Sequence, residues 1–336
     1  MFLSKLPNGI YHIYYYNEVG KKTKISTRTK LKSEALKFLS NFSKEVERRR
    51  SYDTIQINLK SFLFEYLKHS EIIHSNNTTK SIRSTVNALQ GYFGNVPLSE
   101  LTGQRLSEYI THRTRQTSVY VGKRETAYLS GMLKYAISKN YLRHNPAKNI
   151  HKIRIPERQP LFFSETDFEI LLRAVEQNDL KDLFKFAVNT GLRQMELLSL
   201  EWRQINFKDK YLILDNSSHI TKSKKIRTIP LNVVALQILT ERERSKRGDL
   251  VFTLDDKRIT QSFISHKFKK IVKKSGLNPK LNFHSLRHTF ASWLVQKGVN
   301  IFEVSKLLGH SDIRVTEIYS HLRAEDLLNS VNRLNN

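Results

Sequence analysis

The chain contains no cysteine among its 336 residues. That excludes disulfides, thiolate zinc sites and cysteine nucleophiles, and it fits a reducing compartment. No window offers the roughly 18 consecutive apolar residues that a membrane-spanning helix needs. The segment Met1 to Gly9 has no long apolar core, so no secretion signal is expected there. Acidic residues are also scarce. Only 31 Asp and Glu stand against 57 Lys and Arg, giving a formal charge of +26 and a pI near 10.

The positive excess is spread along the chain. Residues 1–156 carry 27 Lys and Arg against 10 Asp and Glu, a net +17; residues 157–336 carry 30 against 21, a net +9. A chain basic throughout suggests an extended polyanion touched by every domain, so nucleic acid is the expected partner. The length suits two or three domains.

Residues 9–29 read as a small β-meander. Ile10 to Tyr16 is a run of β-branched and aromatic residues around His12. A turn at Asn17 to Lys21 leads to a second strand over Lys22 to Thr29. Residues 33–50 then show a helical period at Ala35, Leu36, Leu39, Phe42 and Val46. The cations Lys21, Lys22, Lys24, Arg28 and Lys30 crowd this small sheet, which could lay strands in a DNA groove. Residues 54–150 read as nearly all helical. Ile57, Phe62, Leu63, Tyr66 and Leu67 form one apolar face, and Ile82, Val86, Leu89 and Phe93 form another. Thr102 is an N-cap candidate, and Asn145-Pro146 is expected to break the helix containing Tyr128, Leu129, Met132, Leu133 and Ala136. Lys80, Arg83, Arg113, Arg115, Lys123 and Arg124 are candidate phosphate contacts. Residues 151–160 form a basic, proline-punctuated linker. Beyond it, Tyr211 to Leu214 and Arg227 to Leu231 flank Thr221-Lys222-Ser223-Lys224-Lys225, as a β-hairpin with a basic tip.

Three motifs carry chemistry. They are Thr190-Gly191-Leu192-Arg193-Gln194-Met195-Glu196, His284-Ser285-Leu286-Arg287-His288, and Leu308-Gly309-His310 followed by Tyr319. A phosphodiester resists attack because its anionic oxygens repel nucleophiles and its alkoxide leaves badly. Catalysis needs charge neutralisation and a proton for the leaving oxygen. Guanidinium forks match phosphate oxygens, which makes Arg193 and Arg287 the natural pair. Glu196, one helical turn beyond Arg193, is expected to hold that arginine or its helix. His284 and Arg287 share a helical face. His284 and His288 also have a zinc-ligand spacing, but no further ligand follows in the pattern of a zinc protease, and His288 is expected in the core. Gly309 is expected to end a helix and Ser311 to cap the next.

These boxes, in this order and spacing, resemble those of the tyrosine recombinase (phage integrase) family. The resemblance extends over nearly the whole chain. It implies a mainly α fold with small β elements. An arm-type DNA-binding module of β-sheet plus helix would occupy 1–52, a helical core-binding (SAM-like) domain 53–150, a linker 151–160 and a mixed α/β catalytic domain 161–336. It implies Tyr319 as nucleophile, Arg193, His284, Arg287 and His310 around the phosphate, and a hairpin lysine as general acid. His310 would contact a phosphate oxygen or help Tyr319 lose its proton. Counting back from Pro230 favours Lys222 for the acid, with Lys224 and Lys225 as neighbours. The implied function is site-specific recombination of double-stranded DNA through a 3′-phosphotyrosyl intermediate and a Holliday junction. No cofactor and no metal are implied. The protein would act as a homotetramer on paired sites, be a monomer or weak oligomer when free, and work with a DNA-bending accessory protein. Its tail, with Leu327, Leu328, Val331 and Leu334, would dock on a neighbour or on its own domain. The location would be cytoplasmic and nucleoid-associated. A chromosome-dimer resolvase, a type IB topoisomerase-like enzyme and a catalytically silent DNA-binding regulator are the alternatives.

Overall fold

Three strands, β1 (Phe2–Lys5), β2 (Tyr11–Tyr16) and β3 (Lys22–Ser26), form an antiparallel sheet in the order β1-β2-β3. The sequence predicts only the last two. Phe2 to Lys5 is too short and mixed to announce itself, and it becomes a strand by pairing with β2, Phe2 against Tyr14 and Lys5 against Tyr11. The computed structural model describes residues 1–16, 22–52, 54–151, 153–155, 159–215, 226–323, 331, 332 and 334. Lys21, Lys222, Lys224, Lys225, Leu327 and Leu328 lie outside them. The chain divides into two compact units, Met1–Pro156 and Glu157–Asn336.

In the first unit, Ile13 of β2 is fully buried, opposite Leu3 on one side and Ile25 on the other. Helix α1 (Lys32–Tyr52) packs on that face through Ala35, which is fully buried, and Phe42, whose ring meets Tyr15 edge-on at 5.0 Å. Leu36 is exposed instead of sharing the face. Adjacent helical residues diverge too far around the axis for both to point inward.

A helical bundle follows, built from α2 (Leu59–Ile73), α3 (Asn76–Phe93), α4 (Gly103–Gln116) and α5 (Val119–Ser138). Its core gathers Phe62, Leu63, Tyr66, Ile82, Val86, Leu89, Tyr109, Leu129 and Met132. The Thr102 hydroxyl accepts from the Arg105 backbone N–H and caps α4. Helix α5 stops at Ser138, before the expected break, because Asn140 turns into the left-handed region (φ 61°). Asn145 has a different task. Its side chain accepts from the Ala147 N–H at 2.9 Å and caps the 3₁₀ turn Pro146–Asn149.

One ion pair ties α4 to α5. Glu125 is buried and accepts from the Tyr109 hydroxyl at 2.8 Å and from Arg113 Nη2 at 2.7 Å. Arg113, expected among the phosphate contacts, is therefore committed to the interior. Burial and the Glu125 carboxylate both hold the Tyr109 phenol in its protonated form.

The second unit contains α6 (Glu165–Ala174), α7 (Asn178–Thr190), α8 (Gln194–Leu198), an antiparallel sheet of β4 (Ile205–Asn206), β5 (Tyr211–Leu214) and β6 (Arg227–Pro230), then α9 (Val233–Glu243), a ribbon of β7 (Thr253–Leu254) and β8 (Lys257–Arg258), α10 (Gln261–Lys274), α11 (Ser285–Gln296) and α12 (Ile301–Leu308). Two 3₁₀ segments, Ile313–Val315 and Glu317–Arg323, follow. The predicted hairpin corresponds to β5 and β6, which pair Leu214 with Arg227 and Tyr211 with Pro230. Helix α11 lies against α7 and is fastened to the start of the unit: Thr289 accepts from the Phe163 N–H at 3.0 Å, and the Trp293 indole donates to the Phe163 carbonyl at 2.9 Å. Among the described residues no helix is long and apolar enough to cross a membrane.

Removing one partner of a buried ion pair leaves the other charge uncompensated. Glu125→Ala should destabilise the protein by about 3–5 kcal/mol, whereas Lys123→Ala and Arg124→Ala, exposed on the same helix, should stay within about 0.5 kcal/mol of wild type. Urea unfolding of the full chain measures this. Equal midpoints for all three variants would show that the pair is not a structural tie.

Candidate active site

Helix α7 ends at Gly191, which adopts the left-handed conformation (φ 63°). Arg193 then stands at the N-cap of α8. Its backbone N–H donates to Glu196 Oε2 at 2.8 Å, and its own Nη1 donates to Glu196 Oε1 at 3.0 Å. Glu196 is buried and holds a second arginine as well. Arg227, at the start of β6, donates from Nη2 to Oε2 at 2.8 Å and from Nη1 to Oε1 at 3.3 Å. Burial works against ionisation of Glu196, but the Arg227 and Arg193 charges and the Arg193 N–H outweigh it and hold the carboxyl below its usual range. Arg227 carries no distinguishing signal in the sequence, being one cation among several around the hairpin tip.

The second and third motifs close on the first. Arg287 is buried and donates from Nη1 to the Gly191 carbonyl and from Nη2 to the Leu308 carbonyl, each at 2.6 Å. Burial, and then the nearby Arg193 charge, lower its pKa to about 9, so it stays cationic at neutral pH. Arg193 Nη2 donates to the Gly309 carbonyl at 3.3 Å. Gly309 ends α12 in the left-handed region (φ 65°), and a Cβ there would meet Arg227 Nη1 at 2.4 Å. Two arginines and two glycine turns thus fix three chain segments against one another. The next cap is Asp312, not Ser311. The Asp312 side chain accepts from the Arg314 N–H at 3.0 Å.

The histidines surround this pair of cations. His284 keeps an exposed edge at the start of α11. Desolvation of its ring, with Arg287 and Arg193 behind it, lowers its pKa. His310 Nδ1 is 2.8 Å from the buried Thr316 hydroxyl, and burial with Arg287 and Arg193 brings its pKa to about 4. Tyr319, on the 3₁₀ segment Glu317–Arg323, is only 2% exposed. Its hydroxyl lies 2.6 Å from Nδ1 of His288, not on His310. His288, expected to be a core residue, therefore touches the Tyr319 phenol. Its position directly after Arg287 is the sequence feature that could have marked it. Burial raises the Tyr319 pKa to about 12 although Arg287 opposes the shift.

The other basic candidates belong to the first unit. Strand alternation puts Phe2, Tyr14, Lys22 and Lys24 on the sheet face opposite Ile13. Phe2 and Tyr14 stack at 5.2 Å, and the Lys22 ammonium lies 5.4 Å and 5.7 Å from their ring centres. Arg28 and Lys30 are exposed beyond β3. Lys80, Arg115, Lys123 and Arg124 are exposed on the bundle, and Arg83 pairs with Glu71 at its surface.

Gly191→Ala tests the closure of the motifs. The new Cβ would meet the Phe290 ring at 2.4 Å in a backbone conformation that costs L-residues about 1–3 kcal/mol. The shift would displace the carbonyl that holds Arg287. Thermal unfolding should report destabilisation of at least about 1 kcal/mol. Any reaction requiring Arg287 should slow more than binding weakens. An unchanged melting temperature with unchanged turnover would refute this account of Gly191.

Residues 162–326 match the model of the phage integrase family. A tyrosine recombinase XerC-like protein of Caldanaerobacter subterraneus subsp. tengcongensis is 33% identical over 62% of this chain, which spans 64% of that protein. The ICEBs1 integrase of Bacillus subtilis is 23% identical over 96% of each chain. In fold, a lambda integrase dimer bound to a COC′ core site matches with TM-score 0.70 at 20% identity, over 96% of this chain and 95% of that one. The Tn1549 transposon integrase bound to transposon right-end DNA matches with TM-score 0.69 at 19% identity, over 83% and 100%. With the three motifs closed into one cluster, residues 162–326 of this chain form a domain of the phage integrase family, and the relatives it resembles are named tyrosine recombinase and integrase.

Proposed function

We propose that this protein is a site-specific DNA recombinase of the integrase type. The observation that carries the reading is the cluster in which Arg193, Arg287, His284, His310 and Tyr319 converge from three separate motifs. Arg193 and Arg287 bind the scissile phosphate and stabilise the charge that grows on its oxygens. Tyr319 attacks phosphorus, the Tyr319 O–P bond forms and the P–O5′ bond breaks. The departing 5′ oxygen takes a proton from Lys222. The 3′-phosphotyrosyl bond stores the phosphodiester energy, and a 5′ hydroxyl of a partner duplex reverses the step through a Holliday junction. His284 and His310, neutral in this setting, donate hydrogen bonds to phosphate oxygens.

The domain reading follows. Residues 1–52 are an arm-type DNA-binding module, 53–150 a core-binding domain, 151–160 the linker and 161–336 the catalytic domain. The exposed cations of the sheet, with Lys80, Arg83, Arg115, Lys123 and Arg124, contact duplex DNA. Two matches favour an integrase over a chromosome-dimer resolvase. The ICEBs1 integrase and the lambda integrase each align along 96% of this chain, a share that must reach into the first 52 residues. A lambda integrase tetramer is known bound to a Holliday junction, and a homotetramer on paired sites is the assembly proposed here. Such a protein works at the nucleoid in the cytoplasm, with a DNA-bending accessory protein.

Tyr319→Phe should bind DNA as wild type does and form no covalent adduct on a nicked suicide substrate; an adduct in that variant would move the nucleophile elsewhere. Lys222→Ala should cleave ordinary DNA at least about 10²-fold more slowly and recover on a 5′-bridging phosphorothiolate, whose sulfur leaves without a proton. Rescue confined to Lys224→Ala or Lys225→Ala would reassign the acid.

Deletion of residues 1–52 should leave cleavage of a short core site intact. It should abolish protection of distal arm sites. The salt dependence of binding should flatten by about 0.9 for each phosphate that the shortened protein no longer neutralises. Footprints and salt slopes identical to those of the full chain would make the sheet purely structural.

A further inference from the structure

The proposed reaction leaves one proton unaccounted for, that of the Tyr319 hydroxyl. We infer that His288 accepts it: the phenol transfers its proton to His288 Nδ1 as its oxygen bonds to phosphorus. The inference rests on the reading of Tyr319 as nucleophile and adds the base that this reading lacks.

Geometry supports it first. His288 Nδ1 and the Tyr319 hydroxyl are 2.6 Å apart, within the reach required of a general base. The rings belong to different segments, α11 and the 3₁₀ segment Glu317–Arg323, which pack against each other. Tyr319 sits in a small apolar cluster with Phe290, Ala291, Val295, Val304 and Leu308. A phenol shielded in this way has little water to take its proton. Of the other two histidines, His310 turns its Nδ1 to Thr316 at 2.8 Å, and His284 packs edge-on against the His288 ring with 4.7 Å between centres.

Charge supports it second. Burial lowers the His288 pKa to about 4, with His284 and Arg287 from its own helix and His310 from beyond α12 adding to the effect. The ring is therefore neutral at physiological pH and accepts the phenol's hydrogen bond through Nδ1. Tyr319 faces it as an uncharged group. A phosphate held by Arg287 and Arg193 brings negative charge beside the same ring and offsets the Arg287 charge. Basicity thus rises when the substrate is bound. Atoms and charge balance: the phenol loses a proton, His288 becomes an imidazolium, Tyr319 joins phosphorus, and the 5′ oxygen leaves with the proton of Lys222. In the reverse step the imidazolium returns its proton to the departing phenol.

The test uses the full chain and a nicked suicide substrate, reading the rate of covalent adduct formation from pH 5 to 9. His288→Asn keeps a hydrogen-bond acceptor near Nδ1 but cannot hold the proton. It should bind DNA with wild-type affinity and form adduct at least about 10²-fold more slowly at pH 7. Its rate should climb with pH, because only ionised phenol then reacts, while the wild-type rate levels off once His288 is neutral. A fluorinated tyrosine at position 319, a more acidic phenol, should restore most of the lost rate in His288→Asn and change the wild-type rate little. Rates within threefold of each other and parallel pH profiles would overturn the role of His288. So would faster cleavage by His288→Asn, which would make the histidine a clamp that stores the hydroxyl. Should His288→Asn not fold, the wild-type background still decides: large acceleration by the fluorinated tyrosine would mean that no base acts. Absence of any wild-type adduct, or an adduct in Tyr319→Phe, would instead sink the nucleophile assignment itself.

Discussion

The carboxylate of Glu196 is the interaction on which the site depends. It is a buried negative charge shared by Arg193 and Arg227. A buried charge is tolerated only when its partners are well placed, so Glu196 dictates where both guanidinium groups sit. Through Arg193 it reaches the carbonyl of Gly309, and through Arg227 it reaches the first residue of β6. Arg227 in turn occupies the space a side chain at 309 would need. The first motif, the hairpin and the third motif are thereby locked around one acidic group.

The cluster is consequently poised for an anion. Arg193 and Arg227 hold a single carboxylate, Arg287 adds a third positive charge to the cluster, and burial strips water from Arg227 and Arg287. The strain on these charges is visible in the lowered pKa of Arg287 and in histidines held neutral. A phosphodiester would supply the missing negative charge. Preorganisation of this kind is what electrostatic catalysis requires, since the donors need not reorganise when charge develops.

The first unit meets a different demand. Its bundle commits one arginine, Arg113, to holding α4 to α5 through Glu125, and leaves other cations at the surface. On the sheet, one face packs on α1 through Ile13 while the other displays stacked aromatics with Lys22 above them. Such a face combines charge with flat apolar area, a combination suited to a polyanion with apolar parts.

The sequence by itself determined the helical periods of the bundle, the strands β2, β3, β5 and β6, and the three motifs with their spacing. These are local: an apolar stripe, a glycine turn and a capping side chain are written within a few residues. It also marked Glu196 as the companion of Arg193, because the two lie one helical turn apart. Tertiary structure alone decided the rest. β1 exists only by pairing with β2, and Arg113 turned inward because Glu125, on the next helix, needed a counter-charge. Arg227 joined Glu196 across 31 residues, and His288 met Tyr319 across 31 residues. A contact between distant segments depends on how helices pack, and no short window of sequence contains that information.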